Sequence, residues 1–176
     1  MKFAICLAAA LAIASPVAAQ AVRSEVTTSN GIVVTVYADE FAGRYEYSAP
    51  SINFDSNSFA LVMAVNRNGE VGDVMIGGSI FYSGDWRFYN SAILRGGEEV
   101  AGVFEDRDVV SCRGSRYSRG CSVREGFRLM PTDEQIAQYA ENGVLAIQLR
   151  SRSSNAIVVN IPVAHIEAVR EISRGS

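Results

Sequence analysis

Few residues in this chain have the types and spacing that chemistry needs. Cys112 and Cys121 bracket the stretch Arg113-Gly114-Ser115-Arg116-Tyr117-Ser118-Arg119-Gly120. Oxidised, they staple a hairpin tip, and closing a loop of about ten residues contributes about 2.7 kcal/mol in the chain-entropy account. The functional alternative is a redox-active pair, but such pairs favour C-x-x-C spacing, so the structural disulfide is the stronger reading. The tip sets Arg113, Arg116 and Arg119 around Tyr117. Forked guanidiniums beside an aromatic ring could hold a phosphate, a sulfate or an acidic glycan. Glu105, Asp106 and Asp108 lie just upstream and could neutralise the same surface, which leaves a plain solvated loop as the alternative.

A second constellation depends on register. If Cys112 faces Cys121 and pairing continues evenly, Val110 opposes Val123, Asp108 opposes Glu125 and Glu105 opposes Arg128. Asp108 and Glu125 are then conditional catalytic candidates, because paired carboxylates can share a proton, hold a cation or hydrolyse a glycoside. A β-bulge between the cysteines and this pair would erase the arrangement. His165 is the only imidazole and sits beside the apolar face of a C-terminal helix, so it reads as a boundary residue. There is no G-x-S-x-G elbow, phosphate loop, dinucleotide fingerprint or zinc spacing, so no cofactor and no metal are expected.

Composition narrows the classes further. The chain has 176 residues, 48% apolar and 20% charged, with a formal net charge of −3. That balance argues against general nucleic-acid binding, which needs a basic surface. Met1-Lys2, an apolar run from Phe3 to Ala14, Pro16 and Val17-Ala18-Ala19 have the layout of a secretory signal peptide. Residues 1–19 are thus expected to be removed, with cleavage after Ala19 or Ala21. The run falls short of the roughly 20 residues that span a bilayer, and no other segment approaches that length. Export to a periplasm, or beyond the cell, follows. It also suits a Cys112–Cys121 disulfide, since Cys6 leaves with the leader.

The elements that must position these residues read as mainly β. Apolar runs recur between turn signals, over 32–37, 44–48, 59–66, 74–82, 86–94, 100–104, 145–149 and 157–161. Phe59, Leu61, Met63 and Val65 share one face of their strand, and Gly77-Gly78 suggests a bulge or a close backbone approach. Trp86 and Phe88, mixed with Ile80, Ile93 and Leu94, are expected in the core. Thr132 and Gln135 form a capping box that opens a helix after Pro131. Ile166, Val169 and Ile172 give a second amphipathic helix. About eight strands and two short helices near the C-terminus predict an antiparallel sandwich-like domain over residues 22–172, with an α+β arrangement as the alternative.

Asp85-Trp86-Arg87-Phe88, Val110-Ser111-Cys112, Cys121 followed by Glu125, and Ile161-Pro162 leading into a terminal helix occur in a familiar order. Over roughly residues 80–170 the chain resembles small exported bacterial proteins of unknown function. The resemblance implies an envelope location and carries over no catalytic residue. The expected function is a non-enzymatic exported binding or interaction module. Its contact surface would be Arg113, Arg116, Tyr117 and Arg119, and its partner an envelope protein or an anionic glycan or phosphate ligand. A periplasmic hydrolase using Asp108 and Glu125 is the alternative, and a protease or lysozyme inhibitor acting through the tip is a third.

Overall fold

A computed structural model describes residues 21–55, 57–104, 106–112 and 120–175. The signal-peptide expectation for residues 1–19 and the arginine tip at 113–119 therefore lie outside the described residues. In chain order the elements are β1 (Val22–Thr27), β2 (Val33–Asp39), β3 (Arg44–Ser48), β4 (Ile52–Asp55), β5 (Ser58–Arg67), β6 (Met75–Ser83) and β7 (Tyr89–Leu94). They continue with β8 (Gly102–Val103), β9 (Arg107–Cys112), β10 (Cys121–Leu129), α1 (Asp133–Tyr139), β11 (Val144–Ser151), β12 (Ala156–Pro162) and α2 (Val163–Arg174).

The architecture is mainly β and antiparallel, with twelve strands among the described residues rather than about eight. Four strands lie outside the runs read from the sequence: β10 is well buried but carries Glu125 and Gly126 among its inward and central positions, and the other three lack a burial pattern of useful length. β1 and β9 are exposed along their whole length, and β4 has only four residues. One sheet runs β1-β2-β3-β5-β6-β10-β8, with β4 also on β5 and β9 also on β10; the other is β12-β11-β7. A single hydrophobic cluster joins them, including Val62, Ile76, Phe127 and Leu129 from the first sheet and Leu94, Leu145, Ile147 and Ile161 from the second. Of the two helices, α2 closes the described chain and packs on β2, β3 and β5, whereas α1 bridges β10 and β11.

Two details show how residue size sets the layers. Along β5 the fully buried positions are the small ones, Ser58, Ala60, Val62 and Ala64, while Phe59, Leu61, Met63 and Val65 are half-buried on the other face. Small side chains let α2 approach the sheet closely, so the bulkier row faces outward. Gly78 shows the same economy of space. A Cβ there would lie 2.4 Å from Cζ of Phe127 and 2.5 Å from the Phe59 carbonyl oxygen, so the close approach read from Gly77-Gly78 is Phe127 packing on bare backbone.

Local chemistry fixes the rest. Thr132 accepts from the Gln135 amide while Gln135 accepts from the Thr132 N–H, and this capping box starts α1. Asn142 and Gly143, both at positive φ, turn the chain into the β11–β12 hairpin, whose register runs from Val144–Pro162 to Arg150–Ala156. None of the described helices is long and apolar enough to cross a membrane.

Candidate functional site

The disulfide forms as expected, with Cys112 and Cys121 directly opposed at the end of the β9–β10 ladder. Ser111 pairs with Ser122, and the register then slips by one residue. Val109 opposes Val123, Asp108 opposes Arg124, and Glu125 opposes Arg107, with Val110 left as the extra residue of a bulge. The expected opposition of Asp108 and Glu125 is thereby overturned. Strand side chains alternate, so the slip places the two carboxylates on opposite faces of the sheet. The expected Val110–Val123 pairing fails for the same reason. Arg128 opposes Val103 instead of Glu105, which lies outside the described residues.

Asp108 lies on the outer face, exposed, where Arg124 bridges it and Asp106. Glu125 turns inward and is only 2% exposed. One of its oxygens accepts from the Tyr82 hydroxyl and from the N–H groups of Arg87 (3.1 Å) and Phe88 (2.9 Å). The other accepts from the Tyr89 N–H (2.9 Å) and from Nε of Arg107 (3.4 Å). Successive amides converging on an anion form a nest, and here the anion is the protein's own side chain. Both carboxylate oxygens are engaged, so Glu125 anchors the 84–88 connection between the sheets and presents nothing to a substrate. Burial, followed by the bond to Glu125, pushes the Tyr82 hydroxyl up to about 12.

The nest also corrects the core assignment around it. To aim three consecutive N–H groups at one carboxylate, Phe88 adopts φ +56°, a left-handed conformation that bulky residues rarely enter. Its ring swings outward, 42% exposed, beneath the Arg107 guanidinium at 5.4 Å. Tyr89 takes the buried position expected for Phe88, and Trp86 is half-buried. No periodicity argument finds this, because an inward glutamate in a strand looks like a polar outward position.

His165 is half-buried on α2. Burial lowers its pKa, partly opposed by a hydrogen bond to the Pro50 carbonyl, and its Nδ1 is buried without a partner. Among the described residues there is no group of three His, Cys, Asp or Glu placed to hold a metal. Arg113, Arg116, Tyr117 and Arg119 fall outside the described residues.

A surface the sequence reading missed lies across the outer face of β5, β6 and β10. The registers align Phe59, Ser79 and Gly126 in one row, and Leu61, Gly77, Arg128 and Val103 in the next. Phe59, Leu61 and Met63 form an apolar bank, reinforced by the Phe81 ring stacked on Phe59 at 6.3 Å. Arg128 and Asp106 stand opposite, across a furrow of about 440 Å³. A cavity of about 580 Å³ lies elsewhere, between the 71–74 loop and the facing ends of α1 and α2. Of these two, the furrow is the one walled by strands.

The furrow floor consists of residues with almost no side chain. Neither Gly77 nor Gly126 has a positive φ, so backbone conformation does not require glycine there, although Gly126 is covered by Asp106, whose Cβ would lie 2.9 Å from a Cβ at that position. A Cβ on Gly77 would meet only the flexible Met63 sulfur, at 3.3 Å. Glycine within a strand weakens it, and it often marks close approach by a ligand or another backbone. Arg128 is exposed and, among the described residues, has no carboxylate within ion-pair distance. Asp106, by contrast, is already bridged to Arg124. The sequence signal was available in the combination of Gly77, Gly126 and the outward Phe59-Leu61-Met63 row, but only the strand order brings them together.

Comparison of the chain with protein-family models, with curated proteins and with solved structures returns no match.

Proposed function

We propose that this protein is an exported, non-enzymatic binding module of the cell envelope. Its contact surface is the furrow across β5, β6 and β10, and its ligand class is an amphiphile with an anionic group. The observation that carries this reading is Gly77, whose missing side chain leaves the sheet face open between an apolar bank and an exposed arginine. Adjacent strands lie about 4.8 Å apart, so Leu61 and Arg128 are separated by roughly 10 Å. An acyl or aromatic body can rest on Phe59, Leu61 and Met63 while its anion reaches Arg128. The leader-like residues 1–19 and the Cys112–Cys121 disulfide support export. The saturated Glu125 favours binding over hydrolysis, since the alternative needed Asp108 and Glu125 side by side.

Decanoate titrated into the protein by calorimetry tests this reading, with 1-decanol as the neutral counterpart. Saturable binding of decanoate is expected, weaker by about tenfold or more for decanol and for Arg128→Ala. Gly77→Val should block the furrow without lowering the melting temperature, because a β-branched residue suits a strand. Absence of saturable decanoate binding, or unchanged binding in Gly77→Val, would refute the proposal.

A further inference from the structure

The outer edge of the large sheet carries a second, independent surface. Among the described residues β1 pairs only with β2, in an unbroken register from Val22–Ala38 to Thr27–Val33, and its other edge has no partner. Free edges invite pairing with another chain, and proteins usually blunt them with lysine, proline or a bulge. β1, Val22-Arg23-Ser24-Glu25-Val26-Thr27, has none of these, and its two charges, Arg23 and Glu25, are of opposite sign. Its hairpin is nonetheless held in place. The Ser29 N–H and hydroxyl donate to the Glu171 carboxylate on α2, at 2.9 and 2.6 Å, and the Asn30 amide donates to the Ala164 carbonyl at 3.0 Å.

The two faces of β1 differ in a way that specifies a partner. Val22 and Val26 lie on the face that in β2 holds the buried Val34 and Val36, yet they are 65% and 38% exposed. Arg23 and Glu25 share the opposite face and are ion-paired to each other at 2.9 Å. When two copies of β1 run antiparallel about a two-fold axis through Ser24, each Arg23 falls opposite the partner's Glu25. Each Val22 then falls opposite the partner's Val26, and Ser24 meets its own copy. Charge meets opposite charge on one face, and valine meets valine on the other. A shift by one residue in either direction would set one of the two charges against valine and the other against serine, so the complementarity selects this register.

From this self-complementarity we infer that β1 is a homodimerisation edge, pairing two copies of the chain into one continuous sheet. The contact is isologous and therefore closes at two subunits instead of growing into a filament. Four valines per dimer leave water on the α2 side of the sheet. Two intermolecular ion pairs replace the two intramolecular ones on the other.

Charge swapping tests the pairing. Sedimentation of the protein purified from its own cells, from about 1 μM to about 1 mM, should show a monomer–dimer equilibrium. Arg23→Glu places two acidic pairs across the axis, and Glu25→Arg places two basic pairs. Each variant alone should dimerise about tenfold or more weakly, while an equimolar mixture should restore association as a heterodimer, visible in native mass spectrometry. Both positions are exposed, and circular dichroism checks that each variant keeps its fold. Register is read separately with engineered cysteines. Ser24→Cys should cross-link two copies through a reducible disulfide, since directly opposed residues lie within about 4.5–5.5 Å. Thr27→Cys should not, because its copies lie roughly 20 Å apart. The proposal is overturned by a monomer at about 1 mM, by dimers that survive both single variants, or by a mixture that fails to associate.

Discussion

Replacing Glu125 with alanine tests whether the buried carboxylate is the anchor that its surroundings describe. The change removes the common acceptor of the Tyr82 hydroxyl, the N–H groups of Arg87, Phe88 and Tyr89, and Nε of Arg107. A hydrogen bond to a charged group contributes about 1.5–3 kcal/mol, but adding five such bonds would overshoot, because the vacated donors can recruit water. Breaking a buried, hydrogen-bonded charge pair costs about 3–5 kcal/mol, and that range is expected here. In a chain of this size each kcal/mol moves the melting temperature by roughly 2–4 °C, so Glu125→Ala should melt roughly 6–20 °C lower. Glu125→Gln retains one acceptor but turns an NH₂ group towards other donors, and should fall between the native protein and the alanine variant. Thermal unfolding followed by circular dichroism measures all three. The double variant Glu125→Ala with Tyr82→Phe should cost less than the two singles added, by about 0.5 kcal/mol or more, because both remove one shared bond. A Glu125→Ala protein melting within about 2 °C of the native one would refute the reasoning, as would strict additivity with Tyr82→Phe.

Three further outcomes follow from the same geometry. Gly78→Ala should destabilise by about 1–3 kcal/mol, since its Cβ would strike the Phe127 ring and a backbone oxygen, whereas Gly77→Ala should stay within about 0.5 kcal/mol; equal denaturation midpoints would contradict this. The Tyr82 hydroxyl, at 10.0 in a free side chain and about 12 here, contributes stability that is complete below pH 10 and is lost as pH rises towards 12. Tyr82→Phe should therefore flatten the alkaline decline, and an unchanged slope would count against the assignment. Burial lowers His165 below its ordinary 6.5, so its contribution is complete above that value and is lost as pH falls through the depressed one. Melting curves of His165→Gln should lose that acid limb, and identical pH profiles for the two proteins would sink the idea.

The sequence by itself determined a good deal about this protein. Alternating apolar residues, turn dipeptides and the Thr132–Gln135 capping box depend on neighbours within a few positions, and these marked the β11–β12 hairpin, α1, α2 and most of the large sheet. The opposition of Cys112 and Cys121 was equally legible. Tertiary structure decided everything that depended on a one-residue count or on strand order. A single extra residue at Val110 separated Asp108 from Glu125, because strand side chains alternate and a slip of one moves a residue to the opposite face. Glu125 could be buried only because the amides of residues 87–89, contributed by a different stretch of chain, converge on it, and that convergence turned Phe88 outward. The furrow likewise exists only because β6 lies between β5 and β10, which sets Gly77 beside Leu61 and Arg128. Local periodicity shows that a residue alternates; only the partner strand shows what it meets.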